Sequence, residues 1–299
     1  MTPLARGAAD ATDAADASDA ADAAGLYGPA SEAWRLNREA MLLLGAGPRA
    51  LLLQVAHPLV AEGVDQHSDF RADPWRRLLN TLRSYLAIVY GTAPRARAEI
   101  RRLNALHREI RGPIRDPAAR AAHGTAYWAR DPELSLWVHA TLVDSTIVAN
   151  DRWIAPLSRA RRARFYAESR PIGRAFGIPN DLLPADLDRF ERYLADMLGE
   201  GGPIRPTDSA RAIAAAILRP PLGPVAPPLR RLPTRVYAWT LWPAVGLLPD
   251  RTRREFGLAW GPRERALSAW LVAGWRAWRP LVPAWLRWMP QARAADRRQ

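Results

Sequence analysis

Apolar side chains recur every three or four positions over long stretches of this chain, while strict apolar–polar alternation is rare. That periodicity predicts helices and few strands, and several helices mark their own starts. Asp73-Pro74 reads as an N-cap followed by proline at the first helical position, and Gly91 closes the run. Within it Leu78, Leu79, Leu82, Leu86 and Val89 form an apolar stripe. Residues 92–112 repeat the scheme, with Ile100, Leu103, His107 and Ile110 on one face. Asp131-Pro132-Glu133 starts a third helix, expected to run through Trp137, His139 and Val143 to about Val148. Residues 162–198 read as two helices separated by the turn Gly177-Ile178-Pro179-Asn180, and residues 209–218 as a short helix stopped by Pro220-Pro221. The predicted fold is all-α.

The ends differ from the middle. Residues 8–24 are an Ala/Asp repeat without a large apolar side chain, so they cannot offset their ordering entropy and are expected to be a disordered tail. Prolines at 220, 221, 224, 227, 228 and 233 make a connector, after which come eight of the thirteen tryptophans. The organisation expected is a tail over 1–25, a helical domain over 26–262 and a Trp/Arg-rich helical extension over 263–299.

Composition narrows the chemistry. The 299 residues are 48% hydrophobic, ample for a buried core, and contain no cysteine, which removes disulfides, thiolate zinc sites and iron–sulfur clusters. Lysine is absent as well, so neither a Schiff base nor a P-loop lysine is available. The net charge of +13 is uneven. Asp10, Asp13, Asp16, Asp19 and Asp22 against Arg6 make residues 1–24 acidic, whereas residues 230–299 hold fourteen arginines against four acids. The N-terminus lacks the basic-then-apolar order of a secretory signal, and no apolar run approaches the roughly 20 residues of a spanning helix. A cytoplasmic location is the expectation, peripheral on the inner face of the membrane if the basic end binds lipid.

Candidate motifs are few. Gly45-Ala-Gly47-Pro48 superficially matches a dinucleotide-binding turn, but no second strand with a ribose-binding acid follows; a helix-breaking turn is the better reading. There is no His-Glu-x-x-His, no Glu-x-x-His pair and no Gly-x-Ser-x-Gly. Of the five histidines, His57, His67, His107, His123 and His139, two lie on apolar helix faces: His107 and His139. Leu136, Leu142 and Val143 share the face of His139. A buried neutral imidazole needs a partner for each ring nitrogen. A backbone carbonyl or hydroxyl is the commoner partner. A metal is the alternative, and iron in haem is the occupant that a helical apolar crevice with one imidazole accommodates.

The chain also resembles a known family. The runs Trp34-Arg-Leu-Asn-Arg38-Glu39, Arg49-Ala-Leu-Leu-Leu-Gln-Val-Ala-His57-Pro-Leu-Val and Gly63-Val-Asp-Gln-His67-Ser-Asp-Phe70 carry the likeness. So do Asn104-Ala-Leu-His107-Arg-Glu-Ile-Arg-Gly112 and, above all, Leu136-Trp-Val-His139-Ala-Thr-Leu-Val-Asp144-Ser145. These are similar to the rubber oxygenases (latex-clearing proteins) and the fungal oxygenase of mycophenolic acid biosynthesis, over about residues 30–260. The resemblance implies a single helical domain with a globin-like core around haem b. It implies His139 as proximal ligand of the iron, dioxygen on the opposite face, and oxidation of a small apolar substrate, an alkene or isoprenoid lipid first.

It further implies that distal polar groups come from the helix of His107, Arg108 and Arg111, with His107 either a second axial ligand or a donor to oxygen. Arg83 and Arg111 are the candidates for the haem propionates. Latex-clearing proteins can use a distal lysine, and this chain has none. His57 and His67 belong to the motif without an assigned role. Two other classes stay open: a haem-binding protein without oxygenase activity, and a basic module for membranes or nucleic acid, although no signature of specific nucleic-acid recognition is present. Residues 263–289 interleave Trp270, Trp275, Trp278, Trp285 and Trp288 with Arg263, Arg265, Arg276, Arg279 and Arg287, which suits either an anionic membrane surface or packing on the core.

Overall fold

The computed structural model describes residues 25–68, Phe70, 74–218 and 242–298. The Ala/Asp-rich stretch, the Asp73 cap, the proline-rich connector and Trp239 lie outside them. Among the described residues the protein is all-α apart from one small hairpin. In chain order the elements are α1 (Glu32–Asn37), α2 (Leu42–Ala56), α3 (Pro58–His67), α4 (Pro74–Tyr90) and α5 (Ala93–Glu109). The hairpin strands β1 (Arg111–Pro113) and β2 (Ala126–Trp128) flank α6 (Pro117–His123). Then follow α7 (Pro132–Trp153), α8 (Arg159–Ala175), α9 (Leu187–Leu198), α10 (Asp208–Leu218), α11 (Asp250–Glu255) and α12 (Pro262–Trp278). A single 3-10 turn, Arg279–Leu281, leads to α13 (Ala284–Arg287) and α14 (Pro290–Asp296).

Helix α7 is the axis of the molecule because it is apolar on nearly every side. Asp131 caps it, accepting from the Glu133 and Leu134 N–H groups, and the helix continues one turn beyond the expected Val148, to Trp153. Its Trp137, Ala140, Val143 and Ile147 pack with Leu52, Leu53 and Ala56 of α2 in the main core, which Phe165 and Tyr166 of α8 complete. The Trp137 indole donates to the Leu53 carbonyl at 3.1 Å. A buried ion pair locks the same two helices: Arg49 reaches Asp144 at 2.7 Å and donates to Ser145 Oγ at 2.8 Å.

The Gly45-Ala-Gly47-Pro48 stretch corrects the expectation of a turn, since α2 runs straight through it. Proline removes one N–H and leaves the carbonyl four residues earlier without its helical donor. Burial overrides that cost here. A side chain at Gly45 would meet Leu247 at 3.2 Å and the Trp153 indole at 3.6 Å, so the glycine is what lets these groups press against the helix. Helix α5 stops at Glu109, short of the predicted Gly112, because Arg111–Pro113 pairs antiparallel with Ala126–Trp128, Gly112 facing Tyr127.

The turn after α8 is as predicted and has a definite geometry. Gly177 takes φ +87, the Gly177 N–H donates to Arg174 and the Ile178 N–H reaches back to Gly173. That is a Schellman closure, and it folds Ile178 under Leu136 and against Leu183. At the C-terminal end, Met289, Ala292 and Ala295 pack on Trp34, Leu86, Val89 and Tyr90. Main-chain bonds join the two regions: Ala40 N–H to the Arg287 carbonyl at 2.7 Å and Met289 N–H to the Arg38 carbonyl at 2.8 Å. Among the described residues no helix is long and apolar enough to cross a membrane.

Candidate functional site

His139 sits two turns into α7 and is 8% exposed. Its ring turns toward α8, where Ser169 and Gly173 lie one turn apart. A Cβ at Gly173 would come within 3.4 Å of His139 Cδ2 and within 3.3 Å of Ile178 and Leu183, so the absent side chain gives the imidazole its place. Ser169 Oγ is 3.5 Å from His139 Nε2, the outer limit of a hydrogen bond. Its hydroxyl hydrogen already goes to the Tyr166 carbonyl at 2.7 Å, so the serine has none to give the ring. Burial holds the imidazole's pKa down at about 4, so it is neutral at physiological pH. With the proton on Nε2 the ring donates weakly to Ser169 Oγ; with the proton on Nδ1, Nε2 keeps a buried lone pair.

The other predicted site residues divide between two neighbourhoods. His107 lies on α5 three residues beyond Asn104, whose amide donates to the Ala175 carbonyl at 2.8 Å. Arg130 donates to the Asn104 side chain at 2.5 Å. The last turn of α8 is therefore where the end of α5 attaches, within a turn of Gly173 and the His139 ring. Burial first, and then the Arg130 charge, lower the pKa of His107. Arg108 is exposed, and its carbonyl accepts from the Trp128 indole at 3.2 Å. Arg83 is exposed on α4, 3.5 Å from Asn80 Oδ1.

Arg111 belongs to the second neighbourhood, a cleft of about 800 Å³ bordered by the β1–β2 hairpin and the starts of α3 and α7. His57, His123, Tyr127, Trp128 and Leu134 line it with Arg111, whereas His139 and His107 do not. His57 is the cap of α3, its Nδ1 accepting from the Leu59 N–H at 3.2 Å. A capping Nδ1 must be unprotonated, so the ring proton is on Nε2 and that nitrogen is a donor, not a metal ligand. Burial, helped by His123 with its ring centroid 5.8 Å away, lowers the His57 pKa to about 4. His67 donates from Nε2 to the Arg111 carbonyl at 3.1 Å and so braces the hairpin.

Sequence reasoning named His139 but missed its neighbours Ser169 and Gly173, which come from a helix thirty residues later. It left His57 without a role, although His-Pro at a helix start was a readable cap. Among the described residues no three of His, Cys, Asp and Glu come together as a metal site built from protein ligands requires.

The model of the family described as "ER-bound oxygenase mpaB/B′/Rubber oxygenase, catalytic domain" matches residues 34–288. Uncharacterized proteins of Mycobacterium bovis and Mycobacterium tuberculosis are each 27% identical over 248 residues, covering 79% of this chain and 89% of theirs. No solved structure matches.

Proposed function

The chain belongs to the mpaB/rubber-oxygenase catalytic-domain family, and on that premise we propose that it is a haem b-dependent oxygenase acting on a small apolar substrate. The observation that supports the cofactor assignment is the buried, neutral His139 imidazole, whose Nε2 meets Ser169 Oγ only at the 3.5 Å limit of a hydrogen bond. A porphyrin-bound iron asks the protein for as little as one imidazole, unlike a metal held by side chains alone. The donor chemistry at His139 therefore fits haem. When bound, haem would supply activation of dioxygen.

The chain's own residues supply the rest. His139 holds the iron, and the α8 surface at Ser169 and Gly173 orients its ring. His107, kept neutral, is our candidate for the polar group on the opposite face, as hydrogen-bond donor or second ligand, with Arg108 as the alternative. A donor aimed at developing charge is the usual way a protein steers such a reaction. Arg83 and Arg111 are the proposed partners of the propionates, a role that the guanidinium fork suits. Leu136, Ile178 and Leu183, clustered beside Gly173, would keep water away from His139. An alkene or isoprenoid lipid is the proposed substrate class.

The test is the visible absorption spectrum of protein expressed with ample haem, beside His139→Ala. A haem band in the wild type that is lost or displaced in the variant supports both cofactor and ligand. An unchanged band transfers the ligand role, with His107→Ala as the next variant. No band after reconstitution refutes haem dependence. Oxygen uptake with an isoprenoid lipid then separates an oxygenase from a haem protein without that activity.

A further inference from the structure

The Trp/Arg-rich end has an inward face that carries arginines and an outward face that carries tryptophans. The arginines of its middle stretch, Arg276, Arg279 and Arg287, face the protein. Arg279 and Arg287 both bind the buried carboxylate of Glu39, at 2.8 and 2.7 Å, and Arg276 donates to the Asp151 carbonyl. Five of its large apolar side chains face out. Trp270 and Leu281 are 71% exposed, Trp278 66%, Trp285 61% and Leu286 58%. Every other exposed position between residues 266 and 286 is alanine or proline. The outward side of α12, the following 3-10 turn and α13 thus carries no polar side chain except the indole N–H groups.

We propose that this face is a membrane-docking surface that seats the protein on an anionic bilayer, lying on it without spanning it. Three indoles beside leucines are the composition that inserts at the headgroup boundary, where the ring is buried and its N–H stays hydrated. A contact with another protein carries about one hydrogen bond per 100–200 Å², and this face offers little to make them. The charge around it has the matching sign. Arg263 and Arg265 are exposed just before the face, and Arg297 and Arg298 just after it, against Glu264 and Asp296. The inward arginines hold the platform rigid, so docking needs no refolding of the segment.

The experiment is flotation of the full-length protein with vesicles of phosphatidylcholine alone and with a quarter phosphatidylglycerol. The comparison is the triple variant Trp270→Ser, Trp278→Ser, Trp285→Ser, with its fold checked by circular dichroism melting. The wild type should float with the anionic vesicles and show blue-shifted indole emission, and the triple variant should lose at least tenfold in binding. Arg263→Gln with Arg265→Gln should reduce the preference for anionic vesicles. Absence of binding to both vesicles, or equal binding by the triple variant, overturns the proposal. Self-association without lipid, abolished in the triple variant, would overturn it in favour of an interface between two copies. None of these readings depends on haem loading or oxygen uptake, so this proposal and the oxygenase assignment fail separately.

Discussion

At single side chains, the two most deeply placed histidines carry a common signature. His57 and His139 are both held near pKa 4 by burial, below the ordinary value of 6.5. Between those limits the unfolded chain binds the protons that the native state refuses, so stability rises with pH through that window and is lost as pH falls from 6.5 toward 4. Each histidine accounts for on the order of 3 kcal/mol across that window. Urea unfolding at pH 7 and pH 4.5 should show a large loss for the wild type and a smaller one for His57→Asn. The asparagine oxygen can still accept from the Leu59 N–H but does not titrate. Equal losses in both proteins would assign the acid sensitivity elsewhere. His57 also shows why its role was hidden in the sequence: an imidazole cap looks the same as an imidazole ligand until its partner, two residues away, is known.

Between elements, the α2–α7 contact is the one on which His139 depends for its position. Arg49 and Asp144 bridge the helices from opposite motif runs, and Arg49 also donates to the Leu247 carbonyl at 2.7 Å. Asp144→Ala leaves that guanidinium buried without its counter-ion and should cost about 3 kcal/mol in urea denaturation. A loss under 1 kcal/mol would mean that solvent or a neighbour replaces the carboxylate. Most of this level was legible beforehand. Asp131-Pro132 marked the start of α7, and Gly177 marked the turn after α8, because caps and left-handed glycines are local chemistry. The continuity of α2 was not, because Pro48 argues locally for a break and only the burial of Leu52, Leu53 and Ala56 argues against it.

For the molecule taken together, the two ends of the described chain close on one another. Glu39 is 3% exposed and is bound by arginines 240 and 248 positions away. No local window contains both partners, which is why the sequence left membrane surface and core packing both open for this segment, whereas Arg279 and Arg287 turn inward and Trp270, Trp278 and Trp285 outward. Glu39→Ala should free Arg279 and Arg287 and destabilise the protein by about 2–4 kcal/mol. Limited proteolysis should then cut first between residues 262 and 298. Unaltered protease resistance would show that the packing of Met289, Ala292 and Ala295 on Trp34 suffices by itself. The family assignment was legible because its motif runs are contiguous stretches. The surroundings of His139 were not, because Ser169 and Gly173 join it only through the crossing of α7 and α8.

The clasp between Glu39 and Arg287 has a consequence for how the protein is made. A ribosome delivers the carboxylate first and its second arginine 248 residues later. At 5–20 residues per second that interval is about 12 to 50 s. Through all of it the segment around Trp34 is without the Met289, Ala292 and Ala295 surface that covers it in the finished molecule. The nascent chain therefore waits, partly assembled, for residues 279–295, and a message cut short just before them yields a product with an unpaired acid and an uncovered aromatic cluster.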